Sequence, residues 1–116
     1  MSRYFGPDPG PELERVTGVG NLPPGGMQRI EVDGRDVLLV NLDGEFFAID
    51  NSCPHNGAPL SQGTLRARDG CLVCPWHSWI WDVRDGRAIT PPVRFNVSTY
   101  LVRVDGPDVL VSRMPR

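Results

Sequence analysis

The sequence predicts an all-β fold: an antiparallel, sandwich-like base with a smaller segment inserted into it. Three observations carry this. Asp-Gly occurs five times, at Asp33-Gly34, Asp43-Gly44, Asp69-Gly70, Asp85-Gly86 and Asp105-Gly106. This dipeptide favours tight hairpins because both central residues of a type I′ turn need positive φ. The apolar runs that flank these turns have strand length and are rich in Val, Leu, Ile and Phe. Thirteen Gly and twelve Pro leave little room for helices.

Taken in order, residues 1–11 are rich in Pro and Gly and predict an extended arm. A first strand follows, and the run NLPPGGM at 21–27 predicts a surface loop leading to a meander. MQRIEV precedes the first Asp-Gly, DVLLVNL separates the first from the second, and EFFAID follows the second. From Asp50 to about Arg94 the texture changes to Cys, Pro, Trp and Gly, with short strands expected at GCLVC and WIWDV. STYLVRV, a turn at Asp105-Gly106-Pro107 and DVLVSR close the chain. The expectation is one domain over 1–116, in which 1–50 and 95–116 form the base and 51–94 the inserted subdomain. No repeat of 20 to 50 residues occurs.

At 116 residues the chain can bury one core but not a second catalytic domain. Its formal charge is −2, from 12 basic and 14 acidic residues, with no basic run to bind nucleic acid. The N-terminus lacks the apolar stretch of a secretory signal, and no later apolar run reaches bilayer length. Three Cys suit a reducing compartment, so a cytoplasmic protein is expected.

The chemistry is concentrated in two short loops, Cys53-Pro54-His55 and Cys74-Pro75-Trp76-His77, which hold both His of the chain. A mononuclear zinc finger usually takes two Cys from one knuckle and two His from another. Here each loop supplies one thiolate and one imidazole. That pattern suits a two-iron, sulfide-bridged cluster, with Cys53 and Cys74 on one iron and His55 and His77 on the other. Pro54 and Pro75 stiffen the loops, and Gly57 and Gly63 let the chain turn tightly around the metal.

With C-x-H, an 18-residue gap from Asn56 to Val73 and then C-x-x-H, the sequence resembles soluble Rieske-type [2Fe-2S] ferredoxins. The resemblance extends through CPHNGAPLSQG and CPWHSWIWDVRDG to Thr90-Pro91-Pro92, which matches the family's proline loop over the cluster. It implies an all-β base carrying a smaller Rieske cluster-binding subdomain. Respiratory and photosynthetic members carry an additional Cys in each loop, forming a disulfide, at positions matching Ala58 and Trp76. They also carry a Ser and a Tyr that hydrogen-bond cluster sulfur, at positions matching Trp79 and Trp81. Without those bonds the reduced state is less stabilised, so a low potential is expected, toward the negative end of the family's range of roughly −150 to +300 mV. Ser78 stands where the family usually has Gly.

The implied role is one-electron carriage, without catalysis, from a flavin-containing NAD(P)H reductase to a terminal oxygenase. The alternative is the small subunit of an assimilatory NAD(P)H nitrite reductase, and behind it a zinc-stabilised interaction module. A full Rieske oxygenase would need two further His and a carboxylate for a second iron, and both His are spent. Cys71 reads as a buried free thiol, and at least two of Trp76, Trp79 and Trp81 as cover for the cluster and the small core. Between Asp50 and Arg66, and over 71–81, no charge occurs, so docking is expected through Pro54, Ala58, Pro59, Leu60 and Trp76.

Overall fold

The computed structural model describes residues 12–76, 79–90 and 96–116. Its strands are β1 (Leu13–Gly18), β2 (Met27–Val32), β3 (Arg35–Leu42), β4 (Glu45–Asp50), β5 (Thr64–Arg66), β6 (Cys71–Val73), β7 (Ile80–Asp82), β8 (Ala88–Thr90), β9 (Thr99–Tyr100), β10 (Val102–Asp105) and β11 (Asp108–Ser112). Helical structure among the described residues is limited to 3-10 turns at Val19–Asn21 and Leu60–Gln62. The strands form three antiparallel sheets, ordered β1-β11-β10, β2-β3-β4-β9 and β5-β6-β7-β8. The third sheet draws all its strands from the Cys- and Trp-rich stretch, while the other two use strands on either side of it. The expected arm over residues 1–11 and the proline loop at Pro91-Pro92 lie outside the described residues.

Strand β3 explains how the layers stack. Side chains alternate across a strand, and here both faces are buried, which is why its sequence is an almost unbroken apolar run. Leu38, Val40 and Leu42, with Ile49 of β4, pack on one side against Leu60, Leu72, Trp81, Val83 and Val97. Val37 and Leu39, with Phe46 and Ala48 of β4, pack on the other against Tyr100, Val109 and Val111. The central sheet thus serves two cores. The first of them also contains Cys53 and Cys74.

The turns are more varied than the repeated Asp-Gly suggests. Asp33-Gly34 (φ 52° and 77°) and Asp43-Gly44 (53° and 97°) have two positive φ values and fit type I′. At Asp69-Gly70, Asp85-Gly86 and Asp105-Gly106 only the glycine is positive. Asp105 pairs with Asp108, so the last hairpin turns on Gly106-Pro107. A positive φ followed by the fixed negative φ of Pro is the type II′ pattern.

STYLVRV divides between two sheets. Thr99 and Tyr100 pair with β4, whereas Val102 onward pairs with β11. At the crossing, Leu101 N–H donates to Ser112 Oγ (3.1 Å), and Ser112 N–H donates to the Leu101 carbonyl (2.9 Å). A serine hydroxyl replaces a ladder partner there, a substitution that the alternating Val and Leu do not signal.

Candidate metal centre

Both predicted ligand loops are closed by the same backbone hydrogen bond. Cys53 N–H donates to the Ala58 carbonyl (2.9 Å), and Cys74 N–H donates to the Trp79 carbonyl (2.8 Å), each five residues on. Within the first loop Gly57 N–H returns to the Cys53 carbonyl (2.7 Å) with φ +77°, and Asn56 Oδ1 accepts from Ala58 N–H (3.0 Å). Gly63 has a different purpose from the tight turn expected of it. Its backbone is extended (φ −80°, ψ −172°), and a Cβ there would collide with the Val73 carbonyl, so it permits close approach of β6.

The first loop is also moored from behind by a residue that sequence reasoning overlooked. Buried Asn51 accepts Leu60 N–H on its carbonyl (2.6 Å) and Ser61 N–H on Oδ1 (2.7 Å). Its Nδ2 donates to Asp36 Oδ2 (3.1 Å), and its N–H donates to the Asp36 carbonyl (3.0 Å). Asp36 in turn accepts from Arg29 Nε (2.7 Å). Its position directly after a strand and before the loop is the one signal that could have marked Asn51.

Of the predicted ligands, Cys53 and Cys74 are buried and free, and their side chains are brought together. Burial pushes the Cys53 thiol up, the backbone N–H groups of His55 and Asn56 pull it down, and the adjacent Cys74 side chain pushes it up again. A bound cation reverses this balance, because it deprotonates coordinating thiols. Two adjacent buried thiols, one already aimed at by backbone donors, therefore fit an iron site. His55 is exposed, and its ring stacks on Trp79 at a centroid distance of 4.0 Å and an interplanar angle of 8°. Among the described residues no three His, Cys, Asp or Glu side chains gather as one metal-binding group. His77 and Ser78 lie outside the described residues.

Several expectations change. Cys71 is half-buried rather than buried, with Sγ near the Asp69 carbonyl (3.7 Å). Ala58 and Leu60 are fully buried and cannot line a docking face, because the loop folds them back beneath Cys53. Pro54, His55 and Trp76 remain outward, with Trp76 60% exposed. Trp79 and Trp81 do the covering: Trp81 is fully buried beside both cysteines, and Trp79 tilts against it at 5.7 Å.

A small antiparallel β protein in which two Cys-led loops bring two buried thiols together belongs to the class of metal-binding β domains. The Rieske [2Fe-2S] domain family matches residues 13–101, and the chain belongs to that family. Its cofactor is accordingly a Rieske-type [2Fe-2S] cluster. The ferredoxin component of the naphthalene 1,2-dioxygenase system of Pseudomonas aeruginosa is 37% identical over 90 residues, covering 78% of this chain and 85% of that one. The ferredoxin of carbazole 1,9a-dioxygenase from Nocardioides aromaticivorans IC177 superposes with a TM-score of 0.83 at 34% identity, covering 88% and 98% of the two chains. A ferredoxin solved in complex with the oxygenase of carbazole 1,9a-dioxygenase gives 0.82 at 25% identity, covering 90% and 95%.

Proposed function

We propose that this chain is the ferredoxin component of a ring-hydroxylating or related oxygenase system, carrying single electrons from a flavin-containing NAD(P)H reductase to a terminal oxygenase. Cys53 and Cys74 hold the inner iron of the cluster, and His55 and His77 the outer one. The cluster supplies a one-electron change, and the protein supplies its cage. The observation that carries the reading is the juxtaposition of the two buried thiols by two loops closed with the same hydrogen bond. The exposed His55 on the first loop gives a short route to a partner.

The relatives support a carrier rather than a catalyst, since they are named as ferredoxin components of oxygenase systems, and one ferredoxin was solved on its oxygenase. They also favour this role over a nitrite reductase subunit or a zinc module. No described helix is long and apolar enough to cross a membrane. The three free cysteines suit the cytoplasm.

Anaerobic dithionite titration, followed by visible absorption and electron paramagnetic resonance, tests the proposal. The expected result is one electron per chain, nitrogen coupling from imidazole ligands, and a potential toward the lower end of the family's range, about −150 mV. A colourless, redox-silent zinc protein would overturn it.

A further inference from the structure

Trp79 and His55 belong to different loops, yet their rings lie face to face at 4.0 Å and 8°. We propose that Trp79 is a positioning and potential-setting residue for the cluster, acting through the imidazole of His55. The inference rests on His55 being a ligand, as proposed above.

An indole face is electron-rich, and among aromatic faces it attracts positive charge most strongly. A ligating imidazole carries more positive charge when its iron is oxidised than when it is reduced. Stacking therefore stabilises the oxidised state more and holds the potential down. The geometry is enforced on two sides. Trp79 leans on fully buried Trp81 (5.7 Å, 39°), which belongs to the same core as Cys53 and Cys74. Its backbone carbonyl holds Cys74 N–H (2.8 Å), so the residue that stacks on one loop also closes the other. Side-chain substitution leaves that carbonyl in place and isolates the stack.

The test compares wild type, Trp79→Phe and Trp79→Leu, each checked for iron and sulfide content, by voltammetry and by nitrogen hyperfine spectroscopy. The expected order of potential is wild type lowest, Phe intermediate and Leu highest. The reduction equilibrium should shift by roughly threefold to tenfold in Leu, where each tenfold is 59 mV for one electron. The nitrogen coupling should broaden in Leu as the ring loses its fixed orientation. Val104→Ala, at an exposed position on β10 of the base, should leave both readouts unchanged. If Leu fails to assemble a cluster, an upward shift in Phe still supports the inference, while an unmoved or lowered potential in Phe overturns it. Equal potentials in all three, with wild-type imidazole signals intact, also overturn it. Absence of imidazole coupling in the wild type would instead defeat the ligand assignment.

Discussion

Asn51 Nδ2 donates to Asp36 Oδ2 at 3.1 Å, and this bond ties the root of the first ligand loop to the start of the central strand. The same side chain receives Ser61 N–H, so one buried amide fixes both ends of the segment that carries Cys53 and His55. Its length and direction suit no charged replacement, because one end must donate and the other accept.

Replacing Asn51 by Ala removes both bonds and strands the Ser61 N–H. The expected loss is about 2–3 kcal/mol, read by denaturant unfolding of the reconstituted protein. Cluster loss under chelator should accelerate in parallel. An Asn51→Asp variant should not rescue, since it places a second carboxylate against Asp36.

Asp36 should make the fold sensitive to acid. Burial works to raise its carboxyl, but the hydrogen bonds from Arg29 and Asn51 and the Arg29 charge prevail and hold it below the usual carboxylate range. A carboxyl depressed on folding contributes stability that is present above its unfolded value, about 3.9, and is lost as pH falls through the folded one. In Arg29→Gln the drop in stability between neutral pH and the acid limb should shrink. An identical drop in both proteins would show that Asp36 does not set the limb.

Gly86 joins the cluster-side sheet to the base. Its N–H donates to the Asp82 carbonyl (2.7 Å), its carbonyl accepts Val97 N–H (2.9 Å), its φ is +78°, and a Cβ would collide with the Val97 carbonyl. Gly86→Ala should cost at least the roughly 1–3 kcal/mol of a left-handed non-glycine residue. Gly20, with open space around it and no positive φ, is the control: Gly20→Ala should change stability by no more than about 0.5 kcal/mol. Thermal unfolding of the two variants makes the comparison.

Much of this architecture was written in local pattern. MQRIEV and EFFAID became β2 and β4 with the expected bounds, because short apolar runs bracketed by Asp-Gly turns specify hairpins without help from distant residues. The two Cys-Pro motifs marked the thiols by residue type and spacing, whereas their meeting is made by the tertiary fold. What stayed hidden depended on tertiary partners. The break of STYLVRV at Leu101 is made by Ser112, eleven residues on. The burial of Ala58 and Leu60 follows from the loop closing under Cys53. Asn51 carries no motif, and its importance lies in Asp36 and Ser61 being near it in space. The stack of His55 on Trp79 likewise joins residues 24 apart, which no periodicity relates.

Replacing His55 by Cys probes the ligand set directly. If His55 is a ligand, a third thiolate would add negative charge at its iron, so the potential should fall toward the all-thiolate value of about −400 mV. Half of the imidazole nitrogen coupling should disappear. Voltammetry and hyperfine spectroscopy read both changes, and an unaltered spectrum would remove His55 from the set.

Trp76 is the large aromatic left outward beside Cys74, 60% exposed on a loop whose sequence carries no Asp, Glu, Lys or Arg. Pro54 and His55 are exposed on the other loop, so among the described residues this face presents two rings and a proline and carries no Asp, Glu, Lys or Arg. Interfaces of this kind concentrate their energy in a buried aromatic anchor. Trp76→Ala should therefore weaken transfer to the terminal oxygenase by roughly tenfold in half-saturating ferredoxin concentration, equivalent to about 1.4 kcal/mol. The midpoint potential should be unchanged, because Trp76 is exposed and not part of the core cluster that contains both thiols. Transfer rates should also vary little between low and physiological salt, since the described residues of the two loops carry no Asp, Glu, Lys or Arg to be screened. A steep salt dependence, with Trp76→Ala as active as wild type, would move docking to the charged flanks of the base.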